Sequence, residues 1–179
     1  MILPDSKIEN ATSKNDVARP YLRHVYLDTA EQHLIATDGH ILASIPVQTD
    51  PGDTAGFITV DAIKAARKAK TVIRANDTLA VENGPTFPRP TAENEGDFPD
   101  YKKVIPEPSP FDFTIGIDAE LLLRLAQAIC ANPKKPIVRL RFRNAKDENG
   151  GYGIAQNLGI RVETFDPDRF GVIMPCRVD

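Results

Sequence analysis

Three histidines and two cysteines are the side chains of this sequence with the clearest catalytic or metal-binding chemistry. Asp38 and His40 stand two residues apart, as in a carboxylate that orients an imidazole for general base catalysis, and His24 and His33 could add metal ligands. The histidines form no HExxH or paired-ligand spacing, and no serine occupies a nucleophile elbow. Cys130 lies in an apolar helical pattern, where a thiolate is costly. We therefore expect no enzyme, no metal site and no cofactor, and a small metal-dependent hydrolase is the disfavoured alternative.

A second set of candidate functional residues is basic and lies on or just after two predicted helices. Its members are Lys64, Arg67, Lys68, Lys70, Arg124, Lys134 and Lys135. Long cations bind phosphates without reading base sequence. Solvated helix faces are also commonly basic, so a plain solvent-exposed face is the alternative interpretation. Arg139, Arg141 and Arg143 alternate along a further basic strand, which edge protection of a sheet explains equally well.

Composition limits the kinds of protein and partner that this chain suits. Its 179 residues, with 15 prolines and no tryptophan, predict one compact domain with an appended element, many turns and short strands. The net charge of −3 argues against a protein that coats nucleic acid over its whole surface, but it leaves room for a local basic stripe. With no signal peptide and no membrane-spanning segment, we expect a soluble cytoplasmic protein with no membrane partner. Cys130 and Cys176 are predicted to be reduced, packed thiols.

The pattern of the first half predicts an arm followed by strands and one helix. Residues 1–20 are polar and form an N-terminal arm or loop. Three antiparallel strands follow in RHVYLD, QHLIA and HILASIPV, with Asp38-Gly39 as a tight hairpin turn. GFITVDAIKAARKAK then predicts a strand and a helix with Asp61 as its N-cap and Ala62, Ile63, Ala66 and Ala69 toward a core. Strands in TVIRA, TLAVEN and around PTFPRP complete the first part, residues 21–106.

The second half repeats the same order of elements over residues 107–179. DFTIGIDAELLLRLAQAICANPKK predicts a short strand, an Asp118 cap and an amphipathic helix that ends at Asn132-Pro133. PIVRLRFRN, GYGIAQNL, IRVETF and FGVIMPCRV are predicted strands, with residues 146–151 as a hairpin loop. The expected fold class is α+β, with two βαβββ units preceded by three strands. The repeat predicts antiparallel sheets outside and two helices on one face.

Three segments resemble the sliding clamp, the beta subunit of bacterial DNA polymerase III. LIATDGHILA at 34–43 resembles the family's ATDGHRLA, GDFPDYKKVIP at 96–106 resembles its FPDYRRVLP linker, and VIMPCRV at 172–178 resembles its VVMPMRL terminus. The three occur in the family's order and, with the βαβββ pattern, cover most of residues 20–179. This chain has about half the length of a family clamp, with the middle domain, the linker and the second half of the last domain represented. Ile41, Lys102, Lys103 and Cys176 depart from the family's residues.

The resemblance implies a fold of the DNA clamp kind and two binding surfaces. Partner peptides would bind in a hydrophobic pocket, with leucine or phenylalanine as anchors. The pocket would use Thr37, Gly39, His40, Ile41, Leu42, Pro99, Lys103, Val104, Val172 and Met174. The alternative interpretation is that these residues are hairpin, linker and core. The cationic helices would face duplex DNA.

The predicted function is that of a DNA replication accessory, or processivity, factor, whose reduced length is typical of a phage or integrated element. It would self-associate around duplex DNA without sequence preference and tether a DNA polymerase or other clamp-binding protein. A clamp loader is a further partner that the resemblance implies. The alternative is a clamp mimic that does not encircle DNA and captures or sequesters clamp-binding proteins.

Overall fold

The α+β fold class predicted from the sequence is confirmed. A computed structural model of the chain describes residues 6–107, 114–142, 144–146, 152–154 and 159–176. The chain divides into two compact units, Met1–Ile105 and Pro106–Asp179. All strand pairs among the described residues are antiparallel.

The first unit contains two antiparallel sheets. One has the order β3-β2-β1-β4, and the other has the order β5-β6-β7. Their strands are β1 Val25–Asp28, β2 His33–Thr37, β3 Leu42–Pro46, β4 Gly56–Ile58, β5 Ile73–Ala75, β6 Thr78–Val81 and β7 Thr86–Pro88. The three predicted strands of the hairpin region are therefore present. The predicted tight turn is wrong, because Thr37 pairs with Leu42 across a four-residue connection.

Helices of the first unit lie between and beside these strands. Helix α1 spans Val60–Ala69, and the short α2 spans Ala92–Glu95, which the sequence pattern did not predict. Single 3₁₀ turns span Ile8–Ala11, Pro20–Arg23 and Tyr101–Val104. One core cluster joins side chains from both sheets, from α1 and from the first 3₁₀ turn, with Ile63, Leu27 and Leu79 almost wholly excluded from solvent. Both sheets therefore depend on the same apolar face of α1.

The start of α1 differs from the prediction. Thr59, not Asp61, is the N-cap, since its hydroxyl oxygen accepts a hydrogen bond from the Ala62 backbone N–H at 3.3 Å. Asp61 lies in the first turn and is exposed. Ala69 was predicted to face the core but is exposed, and Ala65 packs against the core instead. The apolar face of α1 is therefore shorter than its alanine content indicates.

The segment before residue 20 contributes to the first core. Ile8 and Ala11 are buried in the cluster, and the Glu9 carboxylate forms an ion pair with the Arg67 guanidinium on α1. Ser13 N–H also donates to the Leu22 carbonyl at 2.8 Å. The described part of the predicted arm is thus attached to both α1 and the region before β1.

Arg89 connects the two sheets of the first unit. Its guanidinium donates to the carbonyls of Thr54 and Phe57 at 2.6 and 3.2 Å, next to and within β4. It also donates to the carbonyls of Ala75 and Asn76 at 3.1 and 2.7 Å, at the end of β5. Carbonyls at the ends of strands need partners when water is excluded, and the planar donor fork of arginine satisfies four of them together.

The FPDY segment is fixed to the first sheet by two aromatic side chains. Phe98 stacks on Tyr26 of β1, with ring centroids 4.7 Å apart and an interplanar angle of 11°. The buried Tyr101 hydroxyl donates to Asp28 at the end of β1 at 2.9 Å. Burial and this hydrogen bond raise the pKa of Tyr101 to about 12. The neutral phenol is therefore the form that the folded first unit favours.

The second unit has one main helix and short sheets. Helix α3 spans Ala119–Ile129. The strands of this unit are β8 Arg139–Arg141, β9 Asn144–Lys146, β10 Tyr152–Ile154, β11 Ile160–Glu163 and β12 Phe170–Ile173. The orders are β12-β11-β8 and β10-β9. The predicted Asp118 cap is confirmed, since its carboxylate accepts from the N–H groups of Glu120 and Leu121. The helix ends at Ile129 with Cys130 as its cap, so the predicted end at Asn132-Pro133 is wrong.

Other details of the second unit also depart from the prediction. The strand expected before Asp118 is, over its described part, a single bridge between Gly116 and Cys176. Residues 147–151 of the predicted hairpin loop lie outside the described residues. Cys176 is exposed and not packed, because it lies beyond the end of β12. Within the described part of the chain, no helix is long and apolar enough to cross a membrane.

Replacing Thr59 with alanine should lower the free energy of unfolding by about 1 kcal/mol, since the Ala62 N–H loses its capping partner. Asp61→Asn is the matched variant, and it should cost about 0.5 kcal/mol or less because it removes only a first-turn charge. Urea denaturation followed by circular dichroism measures both. A larger loss at Asp61 than at Thr59 would contradict the observed cap.

Tyr101→Phe should destabilise the first unit by about 1 kcal/mol at neutral pH, because it removes the hydrogen bond to Asp28. The pKa of Tyr101 is near 12 in the folded state and near 10 in the unfolded state. The stability that Tyr101 provides over phenylalanine is therefore fully present below pH ~10. It is then lost as the pH rises toward 12. Urea denaturation between neutral pH and pH ~11.5 should show the difference between the two proteins shrinking. Tyr21→Phe is the control. If the stability difference between the wild type and Tyr101→Phe stayed constant with pH, the hydrogen bond from Tyr101 to Asp28 would not be its cause.

Candidate peptide and nucleic-acid interfaces

The turn between β2 and β3 carries five of the predicted pocket residues, Thr37, Gly39, His40, Ile41 and Leu42. The Asp38 carboxylate holds this turn by accepting from the backbone N–H groups of His40 and Ile41 at 2.8 and 3.0 Å. Hydrogen bonds from the N–H groups of Ile41 and His40 hold the pKa of the Asp38 carboxyl below its ordinary value. The carboxylate that could have oriented an imidazole is thus engaged with backbone N–H groups.

Gly39 adopts a backbone conformation that other residues rarely tolerate. Its φ is 90°, and a Cβ there would lie 3.0 Å from the Arg19 guanidinium. Its N–H donates to the buried Thr37 hydroxyl at 3.1 Å. His40 and Ile41 are exposed, and Leu42 is half-buried. Of these residues the turn therefore offers mainly His40 and Ile41 to a partner, while Thr37 has a structural role.

The linker carries three more predicted pocket residues, Pro99, Lys103 and Val104, and all three are exposed. Lys103 pairs with Asp100 at 3.0 Å, and Lys102 forms an ion pair with Glu31 in the turn before β2. Tyr101 is anchored at the opposite end of β2 from the Asp38 turn, since Asp28 pairs with His33. The assignment of the eight first-unit residues to a peptide pocket remains a prediction.

Val172 and Met174 are the two predicted pocket residues of the second unit. They line one shallow pocket of about 490 Å³ with Leu121, Arg124, Leu125 and Ile173. Val172, Met174 and Leu121 are 57, 59 and 46% exposed, which is unusual for large apolar side chains. The structure therefore brings both residues together on an apolar surface between α3 and β12.

The helix supplies pocket residues that were not among the predicted ones. Leu121 and Leu125 stand four residues apart, so they share one face of α3. Gly171 of β12 allows this close packing, because a Cβ there would lie only 2.5 Å from Leu125 Cδ1. The run of three leucines at 121–123 was a signal for this surface, since one core-facing stripe cannot absorb all three. Arg124 is exposed and borders the pocket, and its contact with DNA stays a prediction.

The predicted cationic face of α1 is only partly free. Lys64 and Lys68 are exposed four residues apart on the helix. Arg67 is engaged with Glu9, and Lys70 is the helix cap with a φ of 51°. Lys134 and Lys135 are exposed but follow the end of α3, so they lie outside its helical face.

Two cations missed by the sequence analysis lie beside Lys64. Lys14 and Arg23 line a cleft of about 530 Å³ with it, together with Thr12, Ser13 and Glu9, whose carboxylate is paired with Arg67. Arg23 also pairs with Glu95 at 2.9 Å. Lys14 is separated from Lys64 by 50 residues, so only the attachment of the N-terminal segment to α1 brings them together. Cations and hydroxyl groups in one cleft suit a phosphate.

The histidines and acidic residues do not assemble into a metal site in the described part of the chain, where no group of three or more potential ligands occurs. His24 lies 3.2 Å from the Glu95 carboxylate, and His33 Nδ1 lies 2.7 Å from the Glu31 carbonyl. His24 and His33 thus have separate local partners, and the exposed His40 lies in a third place, the turn between β2 and β3.

Comparisons with known proteins identify a shared fold. No family profile matches the sequence, and no curated protein matches it. Among solved structures, the DNA polymerase III beta subunit of Thermotoga maritima matches with a TM-score of 0.53 and 14% sequence identity. The match covers 97% of this chain and 62% of that protein, so the chain spans about three fifths of its length. At this identity the match establishes the fold alone, and the chain has a clamp-like α+β fold.

Proposed function

We propose that this chain is a clamp-like accessory factor of DNA replication that binds partner peptides and self-associates around duplex DNA. The observation that carries the proposal is the apolar pocket of Val172, Met174, Leu121 and Leu125 within a clamp-like fold. Three of the residues that line this pocket, Val172, Ile173 and Met174, belong to the segment that resembles the clamp terminus. No catalytic step is assigned to the chain, and its task is to hold a polymerase or another clamp-binding protein near DNA.

The pocket suits a short peptide with a large apolar anchor and an acidic neighbour. Burial of one leucine or phenylalanine side chain contributes about 1.5–3 kcal/mol. The flexible Met174 side chain adapts to anchors of different shape. The Arg124 guanidinium at the border offers a partner for a carboxylate, as a charge-assisted hydrogen bond. Affinity would thus come from the anchor, and orientation from Arg124.

DNA contact would use exposed cations of both units. In the first unit these are Lys64 and Lys68 on α1, with Lys14 and Arg23 beside Lys64. Arg67 supports this surface by holding Glu9, and Lys70, Lys134 and Lys135 add exposed charge. Attraction to phosphates alone gives sequence-independent binding that allows sliding. A clamp loader remains part of the proposal.

Self-association would use the open edges of the sheets. The outer strands β3 and β4 in the first unit, and β12 and β8 in the second, each have one unpaired edge within the described sheets. Such edges readily pair with another chain. The alternative function is a clamp mimic that keeps the peptide pocket without encircling DNA. It is favoured by the ion pair of Arg67 with Glu9, which leaves fewer free cations on α1 for DNA.

Met174→Ala should weaken binding of a fluorescent acidic peptide with leucine and phenylalanine anchors by about tenfold, because it removes part of the apolar wall. Arg124→Gln should weaken binding of the same peptide. It should not weaken binding of a second peptide in which glutamine replaces each acidic residue. Val17→Ala is the matched control, since Val17 is 85% exposed in the other unit. Equal affinities of the wild type and the Met174 variant in fluorescence anisotropy would rule out this pocket.

Retention on circular duplex DNA, and release after linearisation, is the expected behaviour of a ring. Lys64→Gln with Lys68→Gln should reduce the slope of log K against log salt concentration by about 1.8, as two phosphate contacts are lost. The control is the double variant Arg74→Gln with Lys7→Gln, which removes the same charge from other exposed positions. If light scattering shows a monomer that binds the peptide but not DNA, the ring is rejected and the clamp mimic is the function. If the chain binds neither the peptide nor DNA, both functions are rejected.

A further inference from the structure

The outer face of the β12-β11-β8 sheet in the second unit combines arginines with exposed phenylalanines. Arg161 lies directly opposite Arg141 on β8 and Val172 on β12, while Glu163 lies opposite Arg139 and Phe170. Because cross-strand partners point to the same side of a sheet, these side chains share one face. The alternate residues Leu140, Val162 and Ile173 point to the core.

This arginine face carries more positive charge than its own contacts neutralise. Glu163 is its single carboxylate among the described strand residues and is shared by two guanidinium groups. Arg161 Nε lies 2.9 Å and Arg141 Nε 3.2 Å from the same Glu163 oxygen. Arg139 hydrogen-bonds the Thr164 carbonyl at 3.1 Å. Like charges opposite each other destabilise a sheet, and the shared Glu163 carboxylate offsets only one of the two charges of the Arg141–Arg161 pair.

The neighbouring turn leaves this excess of charge in place. Asp166 pairs with Arg169 at 3.2 Å, which balances one charge of each sign. Asp168 is exposed in the same turn, and its N–H donates to Asp166. The face therefore has three arginines and one carboxylate, Glu163, with Asp168 exposed in the adjacent turn. An anion bound on the face would relieve the repulsion between Arg141 and Arg161.

Two phenylalanines beside these arginines are open to solvent. Phe165 is 76% exposed and Phe170 is 50% exposed. The Arg139 guanidinium carbon lies 5.6 Å from the Phe165 ring centroid, and that of Arg161 lies 3.8 Å from the Phe170 centroid. Guanidinium planes beside aromatic rings extend a flat stacking surface. Exposed rings of this size are costly in water and mark a binding surface.

We propose that this arginine and phenylalanine face binds single-stranded nucleic acid, with phosphates at Arg139, Arg141 and Arg161 and bases stacked on Phe165 and Phe170. A duplex keeps its bases stacked within the helix and cannot use the rings, whereas the bases of a single strand can. An acidic peptide would use the arginines but leave the rings exposed. The site lies on a sheet and is independent of the duplex contacts proposed for the helices.

The test is fluorescence anisotropy of the full chain with labelled oligothymidylate and oligouridylate of about 16 nucleotides. Binding of either should weaken with salt, with a slope of about −0.7 for each phosphate contacted. Arg161→Gln should reduce the magnitude of that slope by about 0.7. Phe165→Leu should weaken binding by about tenfold without changing the slope, since it removes one stacking ring and no charge. Tighter binding of one oligonucleotide identifies the strand as DNA or RNA.

Controls separate this site from general attraction and from unfolding. Arg169→Gln removes the same charge from the adjacent turn, where its partner is Asp166, and should leave the affinity nearly unchanged. Thermal unfolding of Phe165→Leu should match the wild type, because the ring is exposed. Binding of oligothymidylate and of polyglutamate with equal affinity, both insensitive to Phe165→Leu, would overturn the proposal in favour of an acidic protein. No binding of either oligonucleotide at about 50 mM salt would also overturn it.

Discussion

The packing of the small apolar face of α1 is the constraint on which the first unit depends. Ala62 and Ala66 are wholly buried, so the helix axis can lie close to strands of both sheets. Larger residues there would separate the sheets and move Arg89 away from carbonyls at the ends of β4 and β5. Because a lysine cannot be buried without a partner, Lys64 and Lys68 must occupy the opposite side. The helical spacing of residues in α1 thus places the alanines in the core and the lysines on the opposite, cationic surface.

In the second unit the helix has more apolar surface than its sheet covers. Leu122, Leu125 and Ala126 pack inward, and Gly171 lets Leu125 approach the backbone of β12. Leu121 remains exposed beside Val172 and Met174. A single helix stripe about 100° wide cannot include three consecutive leucines, so at least one must face away from the core. This excess provides the pocket to which we assign peptide binding, and Val172, whose side chain also lies on the arginine face, is shared by the two surfaces.

Local sequence was a good guide wherever one signal decided the outcome. Asp118 is the predicted cap because a single polar residue precedes its helix, whereas Thr59 and Asp61 compete at the start of α1 and only the backbone path selects Thr59. Asp38 to Ile41 form the expected hairpin connection, but it is four residues long and not a tight turn, and the Asp38 carboxylate accepts from two of its backbone N–H groups. Arg67 and Arg124 were both assigned to DNA by charge alone, and charge could not indicate their neighbours.

The sequence by itself determined the α+β class, most of the strands, both main helices and the resemblance to the sliding clamp, because hydrophobic periodicity and short motifs are local properties. Tertiary structure decided which side chains became neighbours. It placed Lys14 beside Lys64, paired Glu9 with Arg67, put Arg124 next to Met174 and aligned Arg141 with Arg161. These contacts join residues far apart in the chain, and they depend on strand register and on which helix face is buried.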